Sequence, residues 1–331
     1  MLSISSSNLM GMWIGLELNL LCVIPLFLIK KDMLSTESTM KYFIVQAITS
    51  SCILFFPFWS EMFKFSEMQY FTSMNWSENI MQTFMIIAIM AKIGSSPLHF
   101  WFPSVMEGLS WMNCFLLMTM QKIIPLMMLF LLNKTTLIIL FAFFSAITGA
   151  IGGLTQFSIR SLLAFSSINH LSWLIMTTML SMKMFLLYFL FYLMISLTIC
   201  LMLSNMNVNV MKDMFSMDKM KSPMILIIMM NFISIAGIPP FLGFFPKMFM
   251  ILELMQKNMF FITFIMIMMS LVTMYYYTLM TYSIFMISKV SYKNEMTKFM
   301  KLTNMKLSMT MMLSTLMNIL MSLFFLMKMI L

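Results

Sequence analysis

The sequence is poor in charge. Of its 331 residues only 9% are Asp, Glu, Lys or Arg, while 61% are hydrophobic. That balance excludes a soluble domain of this length and leaves no room for a sizeable aqueous one. Arginine occurs once, at Arg160, and alanine 8 times. Cysteine is scarce too: Cys22, Cys52, Cys114 and Cys200 fall in separate apolar runs, without the spacing of a disulfide framework or a metal site. Neither histidine, His99 or His170, has a second His, Cys or carboxylate at ligand spacing. There is no phosphate-binding loop, no pair of catalytic carboxylates and no nucleophile triad, so no metal or cofactor is expected in this chain. Met1 to Asn8 is Ser-rich and lacks Arg, which fits neither a secretory signal nor a mitochondrial presequence.

What the sequence has is apolar length. Runs near 20 residues recur from end to end, the length that crosses ~30 Å of hydrocarbon. Ten spans are predicted, at about 9–29, 41–60, 79–105, 110–131, 135–153, 160–180, 183–204, 223–252, 258–288 and 307–330. They are continuously apolar rather than alternating, which makes them helices and not barrel strands. The net charge of +9 is spread through the short connections, which argues against nucleic acid and for a membrane sidedness. Twelve of the loop Lys and Arg residues fall on one side of this topology and five on the other. The basic side is the cytoplasm-equivalent one, so both termini are expected on the far side. Methionine occurs 51 times. Met, Ile, Phe, Asn and Lys are favoured by A/T-rich codons, most strongly where ATA encodes Met, and this points to an organelle genome.

Two of the spans are interrupted in the same way. Gly94-Ser-Ser-Pro97-Leu-His-Phe-Trp-Phe102-Pro103 returns 143 residues later as Gly237-Ile-Pro239-Pro240-Phe-Leu-Gly-Phe-Phe245-Pro246, in a shared G-x-x-P-x-x-x-x-F-P frame. Proline removes a backbone donor and clashes with the preceding turn, so both helices are expected to break mid-membrane, at Gly94 and Pro97 and at Gly237, Pro239 and Pro240. Pro125 invites a further kink or break in the fourth span. With ten spans the third and eighth run in opposite directions, which makes the two copies inverted repeats of the kind from which transporters are built.

Four charges lie where hydrocarbon should be. Lys92, Lys122 and Lys247 fall inside spans, and Glu17 is the one acid far from a span end. A charge at the bilayer centre costs ~2.5–3.5 kcal/mol even on the lenient insertion scale, so each needs a reason. Structural pairing of a Lys with a Glu is one reason. Proton carriage is the other, because an amine with an ordinary pKa of ~10.4 can be brought towards neutrality by burial and restored by a nearby carboxylate. Glu17 with Lys92 could form such a switch, with Lys122 and Lys247 as later stations. His170, in Phe165-Ser-Ser-Ile-Asn-His170, is either a relay imidazole between lysines or a hydrogen-bonded packing residue. His99 lies inside the first break and either satisfies freed carbonyls or relays. Glu253 beside Lys257 reads as interfacial.

These residues resemble a known family. Gly15-Leu-Glu-Leu-Asn-Leu with Ile24-Pro25, Ala91-Lys-Ile-Gly94 with Pro97-Leu-His-Phe-Trp-Phe-Pro103, Met120-Gln-Lys-Ile-Ile-Pro-Leu126, Ser166-Ser-Ile-Asn-His-Leu-Ser-Trp173 and the stretch from Gly237 to Lys247 occur in the order seen in NADH–ubiquinone oxidoreductase chain 2. That family is the mitochondrially encoded, antiporter-like membrane subunit of respiratory complex I, and the resemblance runs from about residue 8 to the last helix. It implies an all-α polytopic fold of two inverted antiporter-like bundles with discontinuous helices. It implies a proton path through Glu17, Lys92, Lys122, His170 and Lys247. It places NADH, FMN, iron–sulfur clusters and ubiquinone in other subunits and no cofactor in this chain. The implied partners are other membrane-arm and accessory subunits and inner-membrane phospholipids such as cardiolipin. The implied location is the mitochondrial inner membrane, with both termini in the intermembrane space. Two departures stand out. Animal members usually carry one more apolar helix before the glutamate helix, so the first bundle is expected to be one helix short or completed by a neighbour. Ser104 stands where the family often has Glu.

The expected division is residues 1–131 as a shortened first half, 132–288 as the second, inverted half, and 289–331 as a basic loop with a final helix. Two other functions remain open on the sequence: a stand-alone cation/proton antiporter sharing the lysine path, and a structural membrane-arm spacer with vestigial charges.

Overall fold

A computed structural model describes residues 6, 9–28, 32–65, 75–132, 135–206 and 222–291. Among the described residues the regular structure is helical. The helices are α1 (Leu9–Phe27), α2 (Met33–Phe65), α3 (Asn75–Ile93), α4 (Trp101–Gly108), α5 (Trp111–Met118), α6 (Met120–Phe130), α7 (Thr135–Leu154), α8 (Ile159–Leu180), α9 (Met182–Met206), α10 (Ser222–Ala236), α11 (Phe244–Gln256) and α12 (Phe260–Ser291). They occupy the apolar runs expected from 9–29 to 258–288. The run expected at 307–330 and most of the two long basic loops lie outside the described residues. Six of the described segments are long and apolar enough to cross a membrane, α5 and α6 together forming one of them.

Helix α8 is the axis of the molecule. Every residue from Ser166 to Thr177 is buried, including Ser166, Ser167, Asn169, His170 and Ser172. Its polar groups face protein rather than lipid, as an apolar surrounding requires. Around it, α1, α2, α3, α4 and α6 form one set of neighbours and α9, α10, α11 and α12 another, and α8 touches members of both. The closest packing is with α7. That helix offers a stripe of small buried residues, Ala142, Ser145, Ala146 and Gly149, and small residues let membrane helices approach closely. At Gly149 a Cβ atom would come within 2.6 Å of the Asn169 backbone nitrogen.

The two breaks are the same structure. Helix α3 ends at Ile93 and α10 at Ala236, and α4 and α11 restart at Trp101 and Phe244, each pair again 143 residues apart. Gly94 and Gly237 have φ of +81° and +83°, the left-handed region open to glycine. Each closes a Schellman motif. Gly94 N–H donates to Ala91 O at 3.2 Å and Ser95 N–H to Met90 O at 3.0 Å. Gly237 N–H donates to Ser234 O at 3.2 Å and Ile238 N–H to Ile233 O at 3.5 Å.

Pro125 does not break a helix; it lies inside α6. The interruption in that span falls earlier, at Thr119, whose hydroxyl donates to Phe115 O at 2.7 Å. A threonine bonded back to the carbonyl four residues before it bends the ladder, and here φ and ψ of −115° and −73° end α5 and begin α6.

Candidate functional site

A helix that stops in the membrane interior leaves its last carbonyls without partners, and these are the groups that build the site. In the first break the Schellman motif takes Met90 O. The Trp101 indole N–H donates to Ala91 O at 3.1 Å, and the Gln46 side-chain amide, arriving from α2, donates to Lys92 O at 3.2 Å. In the second break the Lys247 Nζ donates to Ala236 O at 2.9 Å, reaching back from the first turn of α11, and the His170 ring hydrogen-bonds the backbone of Ile235. Gly237 makes room for this lysine, since a Cβ there would lie 2.9 Å from Nζ. Lys92, in the last turn of α3, and Lys247 thus both stand at the carbonyl end of an interrupted helix, where the helix dipole favours a cation.

All three intramembrane lysines are buried, at 6%, 2% and 6% exposure for Lys92, Lys122 and Lys247. Their surroundings differ. Lys92 Nζ has no hydrogen-bond partner, and Glu17, half-buried on α1, acts on it through space rather than as a contact pair. Lys122 on α6 lies 4.7 Å from the centre of the Phe102 ring, a cation–π contact with the first turn of α4. On its other side it donates at 3.5 Å to both the backbone and hydroxyl oxygens of Ser167. Ser167 and His170 are three residues apart on α8 and share a face. His170 is buried, with Nδ1 3.0 Å from the Tyr188 hydroxyl and both Lys122 and Lys247 within electrostatic reach.

The structure therefore brings Lys122, His170 and Lys247 around one side of α8 and the end of α10. Glu17 and Lys92 sit apart from them at the first break, linked through helix packing. Asn19, next but one to Glu17, and Gln121, next to Lys122, exchange amide hydrogen bonds of 2.7 and 3.4 Å, and Tyr42 donates to the same Gln121 oxygen at 3.2 Å. His99 Nδ1 lies 3.3 Å from Pro97 O, within its own break. Ser104 donates to Trp101 O at 2.9 Å, a bond internal to α4. Lys257 caps α8 by donating to Met179 O at 2.8 Å instead of meeting Glu253.

Gln46, Trp101, Asn19, Gln121, Tyr188 and Tyr192 belong to this site and were not singled out from the sequence. Gln46 and Gln121 carried the one available signal, a polar side chain inside an apolar run. Among the described residues no cluster of His, Cys, Asp and Glu could hold a metal ion.

This arrangement of interrupted helices and buried amines has counterparts. The profile of the NADH:quinone oxidoreductase/Mrp antiporter transmembrane family matches residues 6–273. The NADH-ubiquinone oxidoreductase chain 2 of Anopheles gambiae is 39% identical, over 87% of this chain and 83% of its own. That of Mus musculus is 33% identical, over 85% and 81%. A chain in the structure of respiratory complex I from Thermus thermophilus with bound Aureothin superposes with a TM-score of 0.78 at 19% identity, over 95% of this chain and 73% of that one, so the fold is shared. With a family profile covering most of its length and relatives above 30% identity, the chain belongs to the NADH:quinone oxidoreductase/Mrp antiporter membrane-subunit family, alongside the chain 2 proteins of NADH-ubiquinone oxidoreductase.

Proposed function

We propose that this chain is a proton-translocating core subunit of the membrane arm of respiratory complex I. NADH oxidation and ubiquinone reduction take place in other subunits, which hold the FMN, iron–sulfur and quinone sites, and this chain carries protons. It works in the mitochondrial inner membrane as a multi-pass protein of about ten spans, among other complex I subunits and phospholipids such as cardiolipin. Residues 1–131 and 132–288 act as two inverted halves, followed by the 289–331 tail, with both termini in the intermembrane space. The proton path runs through Glu17, Lys92, Lys122, His170 and Lys247.

The observation that supports the path is the meeting of Lys122, His170 and Lys247 at α8 and α10. An ammonium, an imidazole and a second ammonium are placed along hydroxyls and freed carbonyls, with no carboxylate locking any of them into a permanent pair. A relay must pass charge without stranding it in hydrocarbon, and an amine that alternates between charged and neutral does so. Methionine keeps the length of Lys122 but cannot carry a proton, and arginine carries one that it scarcely releases. In the assembled complex, Lys122→Met and Lys122→Arg are both expected to lower coupled NADH:quinone turnover and membrane potential, with assembly intact. A methionine variant that assembles and pumps at the parental rate makes Lys122 a structural charge and ends the relay reading.

A further inference from the structure

Tyr192 stands on α9 one turn beyond Tyr188 and faces α8. Its ring centre is 5.2 Å from that of His170, and the residue is 5% exposed. Its hydroxyl is buried and makes no hydrogen bond with protein groups. Ser167, which holds the Lys122 contact, acts on it from longer range, and Tyr192 acts in turn on Tyr188. Leaving a buried hydroxyl unsatisfied costs about 1–3 kcal/mol, and native interiors rarely carry that cost.

The space beside the hydroxyl suggests its partner. Tyr192, Ser166 and Ser196 line a cavity enclosed between α5, α8, α9 and α10, closed on the α10 side by Ile235. It leaves about 10 Å³ for the centre of a water-sized sphere, the threshold for holding one water molecule. Ser166 and Ser196 give their protons to Leu163 O at 2.9 Å and Leu193 O at 3.1 Å, so both turn acceptor lone pairs to the cavity. Tyr192 supplies the complementary donor. One water accepting from Tyr192 and donating to the serines has about three partners, the usual number for buried water.

We infer that this cavity is a single-water site and that Tyr192, with that water, is a relay residue between Lys122 and His170. The inference rests on the proton-carrier reading of Lys122 and adds the groups that join it to the imidazole. In the transfer, Lys122 goes from ammonium to amine. Each hydroxyl along Ser167, the water, Tyr192 and Tyr188 gains one proton and loses one. Nδ1 of His170 takes the last, turning the imidazole into imidazolium, and no oxidant or further reactant enters.

The test is made on the intact complex. A high-resolution map is expected to show one water within hydrogen-bond distance of the Tyr192 hydroxyl. Tyr192→Phe removes the donor, and Ser196→Val fills the cavity while leaving Tyr192 in place. Each is expected to assemble, to lower coupled turnover by about tenfold or more, as loss of a positioned proton-transfer group does, and to change the solvent deuterium isotope effect. A cavity without water density overturns the inference, and so does Tyr192→Phe with parental turnover and isotope effect. Should Tyr192→Phe fail to assemble, Ser196→Val decides, and parental turnover there is equally fatal. Lys122→Met separates the two levels. If it still slows pumping while Tyr192→Phe does not, only the tyrosine–water link falls.

Discussion

The burial of Lys247 depends on a glycine that has two duties. Gly237 adopts a φ of +83°, and its missing side chain leaves space for the amine that reaches Ala236 O. A left-handed conformation costs an L-residue roughly 1–2 kcal/mol, and here a methyl group would also push on Nζ. Gly237→Ala is therefore expected to lower both the thermal stability of the complex and its coupled turnover. Gly94→Ala, which meets only Phe102 and Trp101 at 3.3 Å, is expected to lower stability with the smaller effect on turnover. Melting temperature and turnover measured on both variants check this, and equal losses of turnover would remove the special role given to the Lys247 contact. Gln46 offers a second case. Its amide is bound to the Lys92 carbonyl, and Gln46→Leu strands a buried acceptor at a cost of about 1–3 kcal/mol. The variant is expected to lose stability, and Gln46→Glu, which cannot donate when ionised, is not expected to rescue it.

At the scale of elements, the repeat is a matter of hydrogen bonds as well as letters. Gly94 and Gly237 were readable as helix stops, because a G-x-x-P frame inside an apolar run has few other uses. The interruption at Thr119 was not readable. A threonine in a membrane helix bonds back to the helix in either straight or bent form, and packing chooses between them. The α7–α8 pair depends on a different feature, the small stripe ending at Gly149. A Cβ there meets backbone of α8 at 2.6 Å, and backbone cannot move aside as a flexible side chain can. Gly149→Val is expected to separate α7 from α8 and to deplete the assembled complex on a native gel. Near-parental assembly would show that the helices can pack with a wider gap. The same substitution at Thr148, on the exposed side of α7, is expected to be tolerated.

For the whole molecule, the central helix is not the most apolar one. Helix α8 is absent from the six segments that stand out by length and hydropathy, yet it is buried almost throughout. Its serines, Asn169 and His170 lower its hydropathy because protein, not lipid, is their solvent. Sidedness is a property at this scale too. The excess of Lys and Arg on one side places the 289–306 loop in the matrix and both termini in the intermembrane space. In mitoplasts with an intact inner membrane, protease is expected to leave that loop uncut and to cleave it once the membrane is opened. Cleavage from the outer face would reverse the orientation.

The sequence by itself determined the class of the molecule and the identity of its unusual residues. Apolar runs of membrane length admit only helices, because a backbone in hydrocarbon must satisfy its own hydrogen bonds. Four charges and two glycine–proline interruptions stand out against such a background without any knowledge of neighbours. What only the tertiary structure decided is which groups meet. Gln46 reaches Lys92 O across 46 residues, Lys122 reaches Ser167 across 45, and His170 finds Tyr188 on the next helix. These partners are chosen by how the helices pack around α8, and packing depends on the fit of whole surfaces rather than on any local pattern. The same holds for Glu17 and Lys92. Their opposite charges suggested a pair, but the helices hold them within electrostatic reach and out of contact, a separation that no spacing along the chain encodes.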